Sequence, residues 1–68
     1  MTKTEVSAIR HRLGLTQAEF AKRFHLSRRT VEGWEQSDRH LDAAATALLT
    51  IIDRKPIEAA LALMPPIS

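Results

Sequence analysis

Residues 17–36 constrain the fold more than any other part of this sequence. Phe20 and Phe24 are four residues apart, which places them on one face of a helix. Val31 and Trp34 are three residues apart and share a face of a second helix in the same way. Because so few residues separate the two pairs, the stretch predicts two short helices joined by a tight turn.

Polar residues mark the point where each of these two helices begins. Thr16 precedes the first helix, and Glu19 follows three residues later, which is the spacing of a capping box. Ser27 precedes the second helix and can cap it with its hydroxyl oxygen. We therefore predict one helix from residue 17 to about residue 24 and another over residues 28–36.

This combination of apolar spacing and caps resembles the helix-turn-helix of the Xre family, the DNA-binding proteins of the phage Cro and repressor type. The resemblance extends over residues 6–52 and includes the lead-in before Thr16. One position departs from the family, because the turn residue that is usually glycine is His25 here. A positive φ is uncommon outside glycine, but histidine is among the residues that tolerate it. The family also pairs an arginine of its first helix with a glutamate of its third, and this implies an Arg10–Glu35 ion pair.

The remainder of the chain predicts three more helices. The first ends at Gly14, the fourth covers residues 41–52 with Asp42 near its start, and the fifth, over residues 56–64, begins at Pro56, which suits a first helical position. Residues 1–68 therefore form one all-α domain, a compact five-helix fold of the lambda-repressor-like kind that the resemblance implies. We expect the core to consist of Val6, Ile9, Leu13, Phe20, Phe24, Val31, Trp34, Leu48 and Ile52.

The composition limits what such a domain can do. Its 68 residues carry a net charge of +2 and contain no cysteine, so thiol chemistry and disulfides are excluded. The three histidines, His11, His25 and His40, are too widely spaced for a paired metal motif. We expect no catalytic site, metal or cofactor. Since no signal peptide or membrane-spanning run is present, we also expect a cytoplasmic protein of bacterial type.

The polar face of the helix over residues 28–36 is the predicted DNA-reading surface. An arginine can donate two hydrogen bonds to a guanine in the major groove, so Arg28 and Arg29 are the main predicted guanine readers. Glu32 has two interpretations: it accepts a hydrogen bond from a cytosine, or it holds one of the two arginines at helical spacing. The predicted base-reading residues are Ser27, Arg28, Arg29, Glu32, Gly33 and Gln36.

A second set of residues is predicted to bind the DNA backbone. The start of the helix at Gln17 has free backbone N–H groups and a positive dipole end, both of which favour a phosphate. Such contacts fix the position of the protein on the duplex but do not read its sequence. The predicted phosphate-binding residues are Thr16, Gln17, Thr30, Arg39 and His40.

Some apolar residues of the last two helices are not needed for the core, and they predict a homodimer. The family binds palindromic operators as two-fold dimers, and the residues available for such a contact are Ile51, Ile57, Leu61 and Met64. Alternatively, the last helix only covers the core of a monomer.

The predicted function is that of a sequence-specific transcriptional repressor, which binds a palindromic operator as a homodimer and represses its own gene. The chain also resembles HigA-like antitoxins, in which one protein represses its own operon and neutralises a toxin. A third interpretation is a protein-interaction module that keeps the helix-turn-helix fold without binding DNA.

Overall fold

The computed structural model describes residues 1–37 and 40–65, and these form five α-helices. The predicted all-α architecture with five helices is therefore confirmed for the described part of the chain. None of these helices is both long and apolar enough to cross a bilayer. The helices are α1 (Lys3–Arg12), α2 (Gln17–Arg23), α3 (Arg28–Gln36), α4 (Ala43–Arg54) and α5 (Pro56–Leu63).

Side-chain caps begin four of the helices, and those at Thr16 and Ser27 are the ones that the sequence predicts. The capping box of α2 is complete: the Glu19 N–H donates to Thr16 Oγ1 over 3.1 Å, and the Thr16 N–H donates to Glu19 Oε1 over 2.9 Å. Thr2 caps α1, Ser27 caps α3 and Asp42 caps α4 through the same type of bond. These bonds satisfy backbone N–H groups that a helix start leaves without an intrahelical partner.

The first two helices end in the same hydrogen-bonded motif, although only one of the two ends has a glycine. After α1, Gly14 has a φ of 71°, and the N–H of Leu15 donates to the carbonyl oxygen of Arg10. After α2, His25 has a φ of 56°, and the N–H of Leu26 donates to the carbonyl oxygen of Ala21 over 2.8 Å. Both are Schellman motifs. His25 therefore supplies the left-handed conformation that the turn before α3 requires.

The core lies where α1, α2, α3 and α4 meet, and α5 covers one end of it. Phe20 and Phe24 are fully buried, with their ring centroids 4.8 Å apart. Six of the nine predicted core residues are buried, and the other three, Leu13, Trp34 and Leu48, are half-buried and pack against the buried cluster. The buried apolar residues are Val6, Ile9, Leu15, Phe20, Ala21, Phe24, Val31, Leu49, Ile52 and Ala59.

The sequence assigned Leu48 to the core, but Leu49 is the fully buried leucine of α4 and Leu48 is only half-buried. The apolar stripe of α4 is wide, because four large aliphatic residues occur within a turn and a half. The rotation of α4 about its axis therefore depends on packing against the other helices. Leu13 and Trp34 are also half-buried and pack against the core from its edge.

A bidentate ion pair joins α1 to α3, as the family resemblance implied. Arg10 Nε lies 2.8 Å from Glu35 Oε2, and Arg10 Nη2 lies 2.9 Å from Glu35 Oε1. The third nitrogen, Nη1, donates to the carbonyl oxygen of Leu15 over 2.9 Å. The hydrogen bonds from Arg10 hold the pKa of Glu35 below its usual value. This pair fixes the end of α3 against the body of the domain.

Candidate nucleic-acid interface

Helix α3 has one side in the core and the other in solvent. Val31 is fully buried and Trp34 is half-buried, so these residues hold the inner side of the helix. The predicted base-reading residues project from the opposite side, because positions three or four residues apart share a helix face. Arg28, Arg29, Gly33 and Gln36 are exposed, and Glu32 is half-buried. The structure therefore brings these five predicted residues together on one outward face.

Two of these residues form an ion pair along the outward face of α3. Arg28 Nε lies 2.9 Å from Glu32 Oε1, one helical turn away, and 64% of the Arg28 side chain is exposed. The contact agrees with the interpretation in which Glu32 holds an arginine. It involves the nitrogen inside the side chain and leaves the two terminal nitrogens of the guanidinium for other partners.

The first turn of α3 is closed by its own hydroxyl groups. Ser27 Oγ accepts a hydrogen bond from the Thr30 N–H over 3.1 Å and lies 2.7 Å from Thr30 Oγ1. Both side chains are exposed at the helix start. Ser27 is thus the cap of α3. The contact of Ser27 with a base and the contact of Thr30 with a phosphate stay predictions.

The start of α2 holds the other predicted phosphate contacts. Thr16 is exposed, and its hydroxyl is engaged in the capping box. Gln17 is half-buried, and its side chain lies close enough to Glu35 to help lower the pKa of that carboxyl. Sequence reasoning missed this contact, since no local pattern relates the start of α2 to the end of α3. A phosphate contact at this position would then use backbone N–H groups.

The last two phosphate predictions fall in the connection between α3 and α4. His40 is exposed. Arg39 lies outside the described residues. Phosphate binding by either residue stays a prediction.

The predicted dimer residues are exposed and apolar: Ile51 lies near the end of α4, Ile57 and Leu61 lie on α5, and Met64 is the C-cap of α5. The exposed fractions are 54% for Ile51, 77% for Ile57, 64% for Leu61 and 56% for Met64. Beside them is an apolar groove of about 470 Å³, in which Ile57 and Leu61 face the ends of α1 and α2. The remaining groove residues are Leu13, Arg23, Phe24, Pro56 and Ala60. Large aliphatic side chains this exposed are typical of surfaces that contact another protein.

Comparison with known proteins agrees with this geometry. The helix-turn-helix family matches residues 6–45, which include most of α1, all of α2 and α3, and the start of α4. Over 52 residues the chain is 35% identical to antitoxin HigA-2 of Vibrio cholerae serotype O1, and the aligned region is 76% of this chain and 50% of that protein. The chain thus spans about half the length of the curated relative that it matches. No solved structure matches it. The chain belongs to the helix-turn-helix family of the Xre type, a family of DNA-binding regulators that are not enzymes, and it is similar to a HigA antitoxin.

Proposed function

We propose that this protein is a sequence-specific transcriptional repressor that binds a palindromic operator near its own gene as a homodimer. The observation that carries the proposal is the outward face of α3, which begins with two exposed arginines and is held rigidly by Val31 and the Arg10–Glu35 pair. A helix-turn-helix places the first residues of its second helix against base edges in the major groove. Arg28 and Arg29 occupy those positions.

The proposed base-reading and phosphate-binding roles follow from the chemistry of the side chains. An arginine that donates two hydrogen bonds to guanine discriminates against another base by about 1–3 kcal/mol. Ser27, Glu32, Gly33 and Gln36 complete the base-reading face. The residues proposed to bind phosphate on either side of the groove are Thr16, Gln17, Thr30, Arg39 and His40.

The proposed dimer uses the exposed apolar surface of α5. A two-fold interface presents the same patch from both subunits, so Ile57 and Leu61 of one subunit would pack against the same region of the other. The groove beside these residues would receive apolar side chains from the second copy. Two recognition helices related in this way read half-sites about 34–36 Å apart, or one turn of the duplex.

A fluorescence-anisotropy titration tests DNA reading. The protein is titrated against duplex DNA from just upstream of its own gene and against a scrambled duplex, at several salt concentrations. We expect a clear preference for the first duplex and affinities that fall steeply with salt, because bound phosphates regain their counterions. Equal and weak binding to both duplexes would favour a module that binds only proteins.

A pair of double variants identifies the reading surface. Arg28→Ala with Arg29→Ala should abolish the preference for the upstream duplex. The matched control, Lys22→Ala with Arg54→Ala, removes the same charge from exposed positions on α2 and α4 and should retain the preference. If the preference survives the loss of Arg28 and Arg29, the assignment of the reading surface is wrong.

A charged substitution on α5 tests whether this helix forms the proposed dimer interface. Leu61→Glu should halve the mass that light scattering measures, because an isologous interface would bury the new carboxylate twice. Ala8→Glu, at an exposed position of α1, is the control and should leave the mass unchanged. A dimer that tolerates Leu61→Glu would have its interface elsewhere.

The similarity to antitoxin HigA-2 favours a second candidate function, in which the same chain also neutralises a toxin. The test is co-expression with the product of the adjacent gene. An antitoxin would relieve the growth arrest that this product causes and would co-purify with it. Unrelieved arrest, or no arrest from the adjacent gene, would leave the repressor function alone.

A further inference from the structure

We infer that Glu32 is a positioning residue for base reading, which holds Arg28 through Nε so that the terminal nitrogens of the guanidinium meet a guanine. This inference rests on the proposed function and assigns a role within the same surface. It decides between the two roles that the sequence leaves open for Glu32, in favour of holding the arginine.

The first argument is that the Arg28–Glu32 pair is poorly placed to stabilise α3. Exposed ion pairs add little to stability, and the order with arginine before glutamate is the weaker one on a helix. Arg28 and Arg29 also stand at the positive end of the helix dipole, where acidic residues are favourable, and the first turn of α3 has none. Local rules are often broken where a surface serves a function.

The second argument is the geometry of the contact. Guanine offers O6 and N7 as two acceptors on one edge, and the end of a guanidinium can donate to both. Glu32 Oε1 lies 2.9 Å from Nε, so the carboxylate meets the side of the guanidinium and not its end. A contact through both terminal nitrogens would leave no end-on donors for a base.

The third argument concerns the conformational freedom of the Arg28 side chain and the negative charge of Glu32. A free arginine side chain loses conformational freedom when it binds, and an arginine already held by Glu32 loses less. The carboxylate also repels phosphates, so it weakens binding to every DNA sequence alike. Loss of Glu32 should therefore raise affinity for any duplex and lower discrimination in favour of guanine, two effects of opposite sign.

The test begins with selection of binding sites from a randomised duplex library by the wild-type protein. A duplex with the selected site is then compared with one in which the base pair read by Arg28 is replaced. The pair is identified as the position where Arg28→Ala loses its preference. The ratio of the two affinities, measured by anisotropy, should be roughly 5- to 150-fold for the wild type.

Three variants of Glu32 and Arg28 then separate the possible roles. Glu32→Ala should lower the ratio roughly 2- to 13-fold while it strengthens binding to scrambled DNA. Glu32→Gln retains an oxygen that can accept from Nε and should keep much of the ratio. In the Arg28→Ala background, Glu32→Ala should cause no further loss of discrimination at any base pair. Glu5→Ala, which removes a charge from exposed α1, should leave the ratio unchanged.

Each alternative has its own outcome. If the wild type selects no common site, the proposed function fails. If it selects a site and Glu32→Ala keeps the full ratio, the ion pair is only a surface contact and the inference is wrong. If Glu32→Ala costs further discrimination in the Arg28→Ala background, Glu32 reads a base directly, which also overturns the inference.

Discussion

Replacement of Glu35 by alanine tests how far burial controls the energy of an ion pair in this domain. The chain contains a matched comparison, because α1 supplies an arginine to two pairs with the same shortest N–O distance, 2.8 Å. Side-chain exposure is 13% and 9% in the Arg10–Glu35 pair, against 64% and 37% in the Arg12–Asp53 pair. The two pairs therefore differ in their access to water, and also in that Arg10–Glu35 has two hydrogen bonds and Arg12–Asp53 has one.

The expected magnitudes follow from this difference. Removal of one partner from a buried pair costs about 3–5 kcal/mol, since the other charge stays buried without compensation. The Arg10–Glu35 pair is only partly buried, and Arg10 keeps one hydrogen bond, to the carbonyl oxygen of Leu15, so we expect the lower figure, about 3 kcal/mol, for Glu35→Ala. Asp53→Ala leaves Arg12 in solvent and should cost less than about 1 kcal/mol.

Urea unfolding followed by far-ultraviolet circular dichroism measures both costs. With a slope of about 1 kcal/mol/M for so small a domain, Glu35→Ala should lower the midpoint by about 3 M and Asp53→Ala by less than about 1 M. If Glu35→Ala is unfolded in water, the double variant Arg10→Met with Glu35→Leu should restore folding, because an apolar pair of similar size replaces the ion pair well. Equal midpoints for the two single variants would refute the reasoning.

Three further predictions concern the pH dependence, the turn before α3 and the core. Arg10 lowers the folded-state pKa of Glu35, so the ionised Glu35 stabilises the fold above its unfolded pKa of about 4.3, and this stabilisation is lost as pH falls through the lower folded pKa. The urea midpoint of the wild type should therefore fall more steeply in acid than that of Glu35→Gln. Parallel curves for the two proteins would contradict this prediction. His25→Gly should raise the free energy of unfolding by up to about 1 kcal/mol, since glycine has no steric cost at the observed φ of 56°, and a lower urea midpoint would show that the histidine side chain stabilises the turn. Leu49→Ala should lower the free energy of unfolding by about 2–5 kcal/mol, as measured by thermal or urea unfolding. Leu48→Ala should lower it clearly less, because Leu48 is only half-buried, and the reverse order would contradict the observed rotation of α4.

The candidate site was largely predictable because its signals are local. Thr16 and Ser27 each cap a backbone N–H three residues further on, so the starts of α2 and α3 follow from neighbouring residues. The same spacing places Arg28 and Glu32 on one face of α3. Local sequence did not reveal which of its two roles Glu32 takes, because both arginines and a base edge are within its reach at helical spacing.

The sequence by itself determined the five helices, most of their ends and the polar face of α3, because caps, turns and helical periodicity act over a few residues. Tertiary structure decided how the helices rotate against one another, and through this it selected Leu49 over Leu48 for the core. It also brought Gln17 to Glu35 and left Ile57 and Leu61 beside a groove. These contacts join residues distant in the chain, and their geometry depends on the packing of whole helices, which no single stretch of sequence encodes.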